Sequence, residues 1–346
     1  MAAYISFQPS DHYNTVLYTG TGASHAVTGV GFSPNMTWLK SRSASTSQYV
    51  FDTVRGATYG IFPDGDWEQA ASAQYLNAFD ADGFTLGTNT AINDNTATYA
   101  SWNWNAATTT GLSGGTITPS SYSINATAGI GIYEYAGTGS NGTIAHGLGA
   151  GKKFLMVKNT SNSGGVNWKC IHSNLSSGDQ NLYLNLTTGE TTETATFNST
   201  FPGDTVFNLG TNLGTNSSGN DYIAYLFCSK TGFSKMGSYT GNGNVDGAFA
   251  FTGFRPAFVL IKRFNSSGDS WFLTDSKRNP YNVVTSPLYP DDPGAEGSGT
   301  FLDFLSNGFK LRTTSSSWNG SGNSYIYAAF AEFPFVSSNS KSGVAR

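Results

Sequence analysis

Apolar and polar residues alternate with a period of two along most of the chain. FKLRTT at 309–314 and YIYAAFAEF at 325–333 are clear cases. That period turns successive side chains to opposite faces of a strand. Short apolar runs, MTWLK at 36–40, FLMVK at 154–158 and FVLIK at 258–262, read as buried strands ending in lysine. Asn307-Gly308 lies between two strand-like runs, TFLDFL and FKLRTT, and Asp82-Gly83 holds the matching place near the start of the chain. Both predict hairpins, with turn residues at positive φ. Only EQAASAQYL, residues 68–76, leans helical, for one or two turns at most. Roughly six or seven strands fall in each ~105 residues, the scale of a β-sandwich.

The pattern occurs three times. Tyr18-Thr-Gly-Thr-Gly22, Tyr135-Ala-Gly-Thr-Gly139 and Tyr239-Thr-Gly-Asn-Gly243 open the copies, and Lys40, Lys158 and Lys262 follow after 22, 23 and 23 residues. An aromatic strand comes next: YVFDTVR, VNWKCIHS or SWFLTDSKR. Phe84, Phe207 and Phe309 then precede Tyr99, Tyr222 and Tyr325 by 15, 15 and 16 residues. Such order at such spacing marks an internal repeat. The expected architecture is all-β: three tandem antiparallel β-sandwich units of jelly-roll or lectin-like kind. The expected division is a first unit with an N-terminal arm over 1–105, a Gly/Ser/Thr-rich strap over 106–127, a middle unit over 128–229, a third unit over 230–337 and a tail over 338–346. Ile117, Tyr122 and Ile124 suggest that the strap packs as an extended segment.

Composition agrees with strands and turns. Charged residues make up 12% and aromatics 14%, with 42 glycines. The net charge of −4 gives no footprint for nucleic acid. The first unit is the most acidic and the third slightly basic, a weak hint of head-to-tail contact between copies. No apolar run is long enough for a membrane helix, and MAAYISFQPSDHY lacks the charged and apolar regions of a secretory signal, so no membrane insertion is expected. Cys170 and Cys228 cannot form a disulfide framework, and with His12, His25, His146 and His172 they offer no zinc spacing. Both thiols are expected buried and reduced.

GFSPNMTWLKSRS, VFDTVRGAT and FDADGFTLGT, with KMGSYTGNG, GFRPAFVLIKR, FLDFLSNGFKLRTT and YIYAAFAEFPF, resemble a repeat protein encoded widely by marine bacteriophages, including those of cyanobacteria and of abundant marine heterotrophs. The resemblance covers nearly the whole chain and is densest from Phe233 to Val336. The middle copy departs most, through GLGAGKK and its cysteines. The resemblance implies a virion component and carries no catalytic motif.

Candidate chemistry is sparse. Gly147-x-Gly149-x-Gly151 precedes a strand, whereas a phosphate cradle opens a helix. Asp64, Asp66 and Glu68, and Asp80 with Asp82, could in principle serve glycoside hydrolysis or calcium, but neither group matches the calcium loop. The repeated lysines read as stems covering apolar surface with heads in water, with a shared anion or partner contact as the rival. Trp67 and Trp318 stand in turn-rich sequence and are the candidate glycan or partner contacts, with Lys277 and Arg278 as an accompanying charged pair. No catalytic, cofactor or metal residue is assigned. The expected function is non-enzymatic: a virion surface protein made in the host cytoplasm, a decoration or cement protein or accessory fibre component docked on capsid or tail, and a homo-oligomer. The alternative is a receptor-binding fibre or tip module recognising host surface glycan. A polysaccharide-degrading tailspike stands a distant third.

Overall fold

A computed structural model describes residues 7–333 and the backbone of 335–336 and 342–343. Most of the expected 338–346 tail lies outside the described residues. The described chain is all-β, with helix limited to single turns such as Thr90–Asn93 and Ser316–Asn319.

Seven principal strands fall in each third. The first third carries β1 (Tyr13–Thr19), β2 (His25–Thr28), β3 (Met36–Ser41), β4 (Tyr49–Asp52), β5 (Leu76–Asp80), β6 (Gly83–Leu86) and β7 (Thr98–Trp104). The middle third carries β8 (Ser121–Asn125), β9 (Ile130–Ala136), β10 (Gly142–Ala145), β11 (Lys153–Asn159), β12 (Lys169–His172), β13 (Val206–Leu209) and β14 (Asp221–Cys228). The last carries β15 (Ser234–Thr240), β16 (Phe249–Phe251), β17 (Pro256–Arg263), β18 (Phe272–Asp275), β19 (Leu302–Leu305), β20 (Gly308–Leu311) and β21 (Ser324–Ala331).

One strand order recurs: β1-β7-β3-β4, then β9-β14-β11-β12 with β8 added at the edge, then β15-β21-β17-β18. The second sheets are β2-β6-β5, β10-β13 and β16-β20-β19. All pairings of the principal strands are antiparallel. The repeated tyrosines meet across the first ladder as Tyr18–Tyr99, Tyr135–Tyr222 and Tyr239–Tyr325, stacked with ring centroids 5.0, 5.3 and 4.7 Å apart. Lys40, Lys158 and Lys262 share one register, opposite Ala100, Ile223 and Ile326.

Inside the first and third units the two sheets share an apolar core. In the third, Ile261, Phe272 and Tyr325 pack with Leu302, Phe309 and Leu311. The other faces of the three large sheets meet in one common core. Met36 and Trp38, Phe154 and Met156, and Phe258 and Leu260 occupy equivalent positions around it. Only about 10 Å³ is left open at its centre, at the lower limit for a single water. Strands buried on both faces therefore need apolar residues at consecutive positions, which explains the short unbroken runs.

Two local expectations change. Residues 68–76 form no helix; Ala70–Ala71 pair with Tyr59–Gly60, and Leu76 begins β5. The β19–β20 and β5–β6 hairpins form as expected, and Gly83 takes the expected positive φ, but Asp82, Ser306 and Asn307 do not. Gly308 and Gly83 instead open the following strand. A Cβ there would lie 2.2 Å from the Ala250 carbonyl oxygen or 2.0 Å from that of Val27, so close backbone approach demands glycine.

Candidate interaction surfaces

The groups that recur in all three units are turned inward. Lys40, Lys158 and Lys262 are buried, and each Nζ donates to backbone carbonyls. Lys40 reaches Thr46 O at 2.8 Å and Pro293 O of the third unit at 2.6 Å. Lys158 reaches Val166 O at 2.7 Å and Asp66 O of the first unit at 2.9 Å. Burial pushes all three ammonium groups down to about 8. The expectation of heads in water is thus corrected: the lysine length is spent bridging orphan carbonyls.

Asp52 with Arg55 and Asp275 with Arg278 are equivalent buried ion pairs, at 2.7 and 2.5 Å. Each aspartate also accepts a bond from a neighbouring unit. Tyr225 Oη donates to Asp52 Oδ2 at 2.5 Å, and Trp102 Nε1 donates to Asp275 Oδ2 at 3.0 Å. The middle unit has His172 at this position, with Nε2 facing Tyr327 O of the third unit at 3.3 Å. Arg278 is therefore a core residue and not a surface contact. Its Nη1 also meets Glu296, which Arg42 of the first unit holds from the other side at 2.8 Å.

A second set of equivalent bonds shows how the units are arranged. Trp168 donates to Phe62 O, Trp271 to Tyr183 O and Gln48 to Tyr289 O, at 2.8, 2.8 and 2.5 Å. The amides of Gln69, Glu190 and Glu296 bond the carbonyls of Thr160, Phe264 and Arg42, at 3.2, 2.7 and 3.0 Å. The first unit thus meets the middle, the middle meets the third, and the third returns to the first. The tandem units close into a cycle.

Of the expected contacts, Trp67 alone presents a large open face, at 53% exposure. Its turn is clamped across the seam, because Asp66 O accepts both Lys158 Nζ and the Val166 amide. Asp64 accepts the Gln48 amide at 3.1 Å, and burial raises its carboxyl above the ordinary range. The ring lies edge-on to Phe62 and over Gly65, so its orientation is preset. Trp318 is 1% exposed and packs between Phe272 and Phe301, which removes it as a surface contact. Lys277 pairs with Glu332 at 2.6 Å and lies near Phe333 at the surface. Trp67, Trp318 and Lys277 share no common pocket among the described residues. Asp82 is committed to the Gly29 and Gly31 amides, and Asp80 to the Thr85 hydroxyl. No grouping of three or more His, Cys, Asp or Glu side chains suited to a metal occurs among the described residues. Cys170 and Cys228 are free and buried, as expected.

Sequence reasoning missed a repeated asparagine. Asn93, Asn216 and Asn319 are buried, and each pins the Tyr-x-Gly-x-Gly loop of its unit. The amides of Thr21, Thr138 and Asn242 donate to their Oδ1 atoms at 2.9, 2.8 and 3.1 Å. Their Nδ2 atoms return bonds to Ala23, Ser140 and Asn244 carbonyls. The signal was present: each asparagine stands six residues before the repeated tyrosine. It was hidden by the many other asparagines in the chain.

No curated protein and no solved structure matches the chain. A family described as a domain of unknown function, DUF7483, matches residues 8–334, spanning the strap and all three units. The chain belongs to the DUF7483 family.

Proposed function

We propose that the protein is a non-enzymatic component of a bacteriophage virion surface, a decoration or accessory fibre protein that works by assembly. The observation that carries this reading is the closed cycle of seams. It makes three similar units one rigid block and spends their repeated charged groups internally. What remains outside is a low-charge surface of turns and strand edges, suited to large static contacts. The resemblance to marine phage repeat proteins supports the same reading.

A second reading, recognition of host surface glycan, is favoured by Trp67. A preset, half-exposed indole on a clamped turn can stack on a sugar face at low entropic cost. The test is to incubate purified protein with particles lacking it and with host envelope polysaccharide. Rebinding to particles without glycan, at fixed stoichiometry, is the expected result. Rebinding that requires glycan and fails with Trp67→Ala would shift the conclusion to receptor recognition. Depolymerised polysaccharide would overturn the assembly-only reading.

A further inference from the structure

The three units differ in how they treat one sheet edge. β2, β10 and β16 are equivalent edge strands, each paired on one side with β6, β13 or β20. In the middle unit the free side of β10 is covered by the strap. Gly115 bridges Ile144, the Thr116 amide donates to Thr143 O at 2.9 Å, and Ile117 is buried beside Gly142. In the first unit, β2 carries Ala26 and Thr28 on its exposed face. In the third unit the same two positions are Phe249 and Phe251, exposed by 45% and 61%. No strand among the described residues pairs with the free side of β16, where the Tyr327 hydroxyl alone reaches the backbone, at Phe251 O.

We propose that β16 is a self-association edge, at which a second copy of the chain adds its own β16 antiparallel about a two-fold axis through Ala250. This deepens the assembly reading and rests on it only for its purpose; the pairing stands on the geometry of the strand. Three observations select a second copy as the occupant. First, the backbone is set for it. Ala248 O accepts the Leu311 amide and the Thr252 amide donates to Asn307, so the even residues face β20 and the odd residues face out. A two-fold through Ala250 sets Phe249 opposite Phe251 of the other copy, twice, with N–H and C=O groups matched; the Phe251 carbonyl, which already accepts the Tyr327 hydroxyl at 3.2 Å, would take the new bond on its second lone pair. Second, those two residues share a face, so each ring meets its counterpart across the new ladder, an aromatic pairing that stabilises strand contacts. Third, the face balances its own charge. Lys310 pairs with Asp246 at 2.6 Å, and Arg312 with Asp303 at 3.1 Å. Identical faces oppose each other in a two-fold contact, so a face of one sign would repel its copy, whereas this one does not. The strap on β10 shows that this fold accepts an added strand at that edge.

The experiment is sedimentation velocity of the full chain across the micromolar range, with the double variant F249A/F251T, which carries the residues of the first unit. The wild type should show a concentration-dependent dimer. The variant should dissociate at least about tenfold more readily and keep the wild-type melting curve, because both side chains are exposed in the monomer. Phe251→Lys is the second variant; it should abolish the dimer by placing like charges across the axis and regain it as salt rises. Hydrogen exchange should show the Phe249 and Phe251 amides protected in the wild-type dimer. A wild type that stays monomeric throughout, or a dimer untouched by either variant, overturns the proposal. A monomer that still rebinds virions would sink the self-pairing and leave the virion reading standing. A dimer that never rebinds would do the reverse.

Discussion

Asp52 and Asp275 each hold three partners in a dry place, and their worth lies in that completeness. Removing one member of a buried pair leaves the other charge without compensation, at a cost of about 3–5 kcal/mol. Asp275→Asn should therefore lower stability by that order, read from the denaturant midpoint, while the double change of Asp275→Asn with Arg278→Met recovers much of it. His172, standing where those units have aspartate, makes the middle unit sensitive to acid. Its Nδ1 accepts the Asn174 amide at 3.1 Å, so the proton sits on Nε2. Burial pushes His172 down to about 3 and His146 to about 4, against 6.5 for a free imidazole. Below 6.5 the unfolded chain binds protons that the folded chain refuses. Stability present above pH 6.5 is thus lost as pH falls towards 4, by on the order of 3 kcal/mol from His172 and somewhat less from the less deeply buried His146. Denaturant midpoints measured across that interval check it, and His172→Gln should flatten the decline.

At the scale of the element, the glycines that open β6 and β20 set how closely neighbouring strands approach. Gly308→Ala should cost about 1–3 kcal/mol, because the carbonyl of Ala250 has no flexible end to swing away. The calorimetric midpoint should fall accordingly. These glycines were legible in the sequence as hairpin markers, with the expected positive φ at Gly83 but not at Gly308. An Asn-Gly pair announces a turn, and only the distance to the strand alongside shows that the constraint at Gly308 is crowding, whereas Gly83 combines crowding with a positive φ. The strap was read correctly as extended because Ile117 and Ile124 are apolar within a polar segment. Its role as an added strand on β10 depends on a hydrogen bond that no composition reveals.

The whole molecule behaves as one unit if the cycle of seams is its main source of order. Calorimetry should show a single transition, with van't Hoff and calorimetric enthalpies in agreement. Excised alone, residues 230–337 would expose Phe258, Leu260 and Phe330 of the common core, and the fragment should bind a hydrophobic dye and associate. Two of the three repeated lysines, Lys40 and Lys158, bond across seams, which gives closure an alkaline signature. Each has a folded pKa of about 8 against 10.5 in the unfolded chain, so the unfolded state holds more protons between those values. Stability should rise with pH from about 8, then fall above 10, where buried tyrosines with raised pKa such as Tyr135 resist ionisation. Lys158→Met should remove part of the rise, seen in the denaturant midpoint.

The sequence by itself determined the strand content and the matching registers of the repeated tyrosines and lysines. Period-two patterning and constant spacing are local properties, written along the chain. It also marked Trp67, whose turn-rich surroundings held. Only the tertiary structure decided that Trp318 and Arg278 are interior, since a polar neighbourhood in sequence does not say what folds over it. Only it showed that three tandem units close into a ring around a shared core. Apolar residues facing both sides of a strand look the same whether the second face meets a sheet of its own unit or a neighbouring one, and the closing bonds run largely through backbone carbonyls, which every residue possesses.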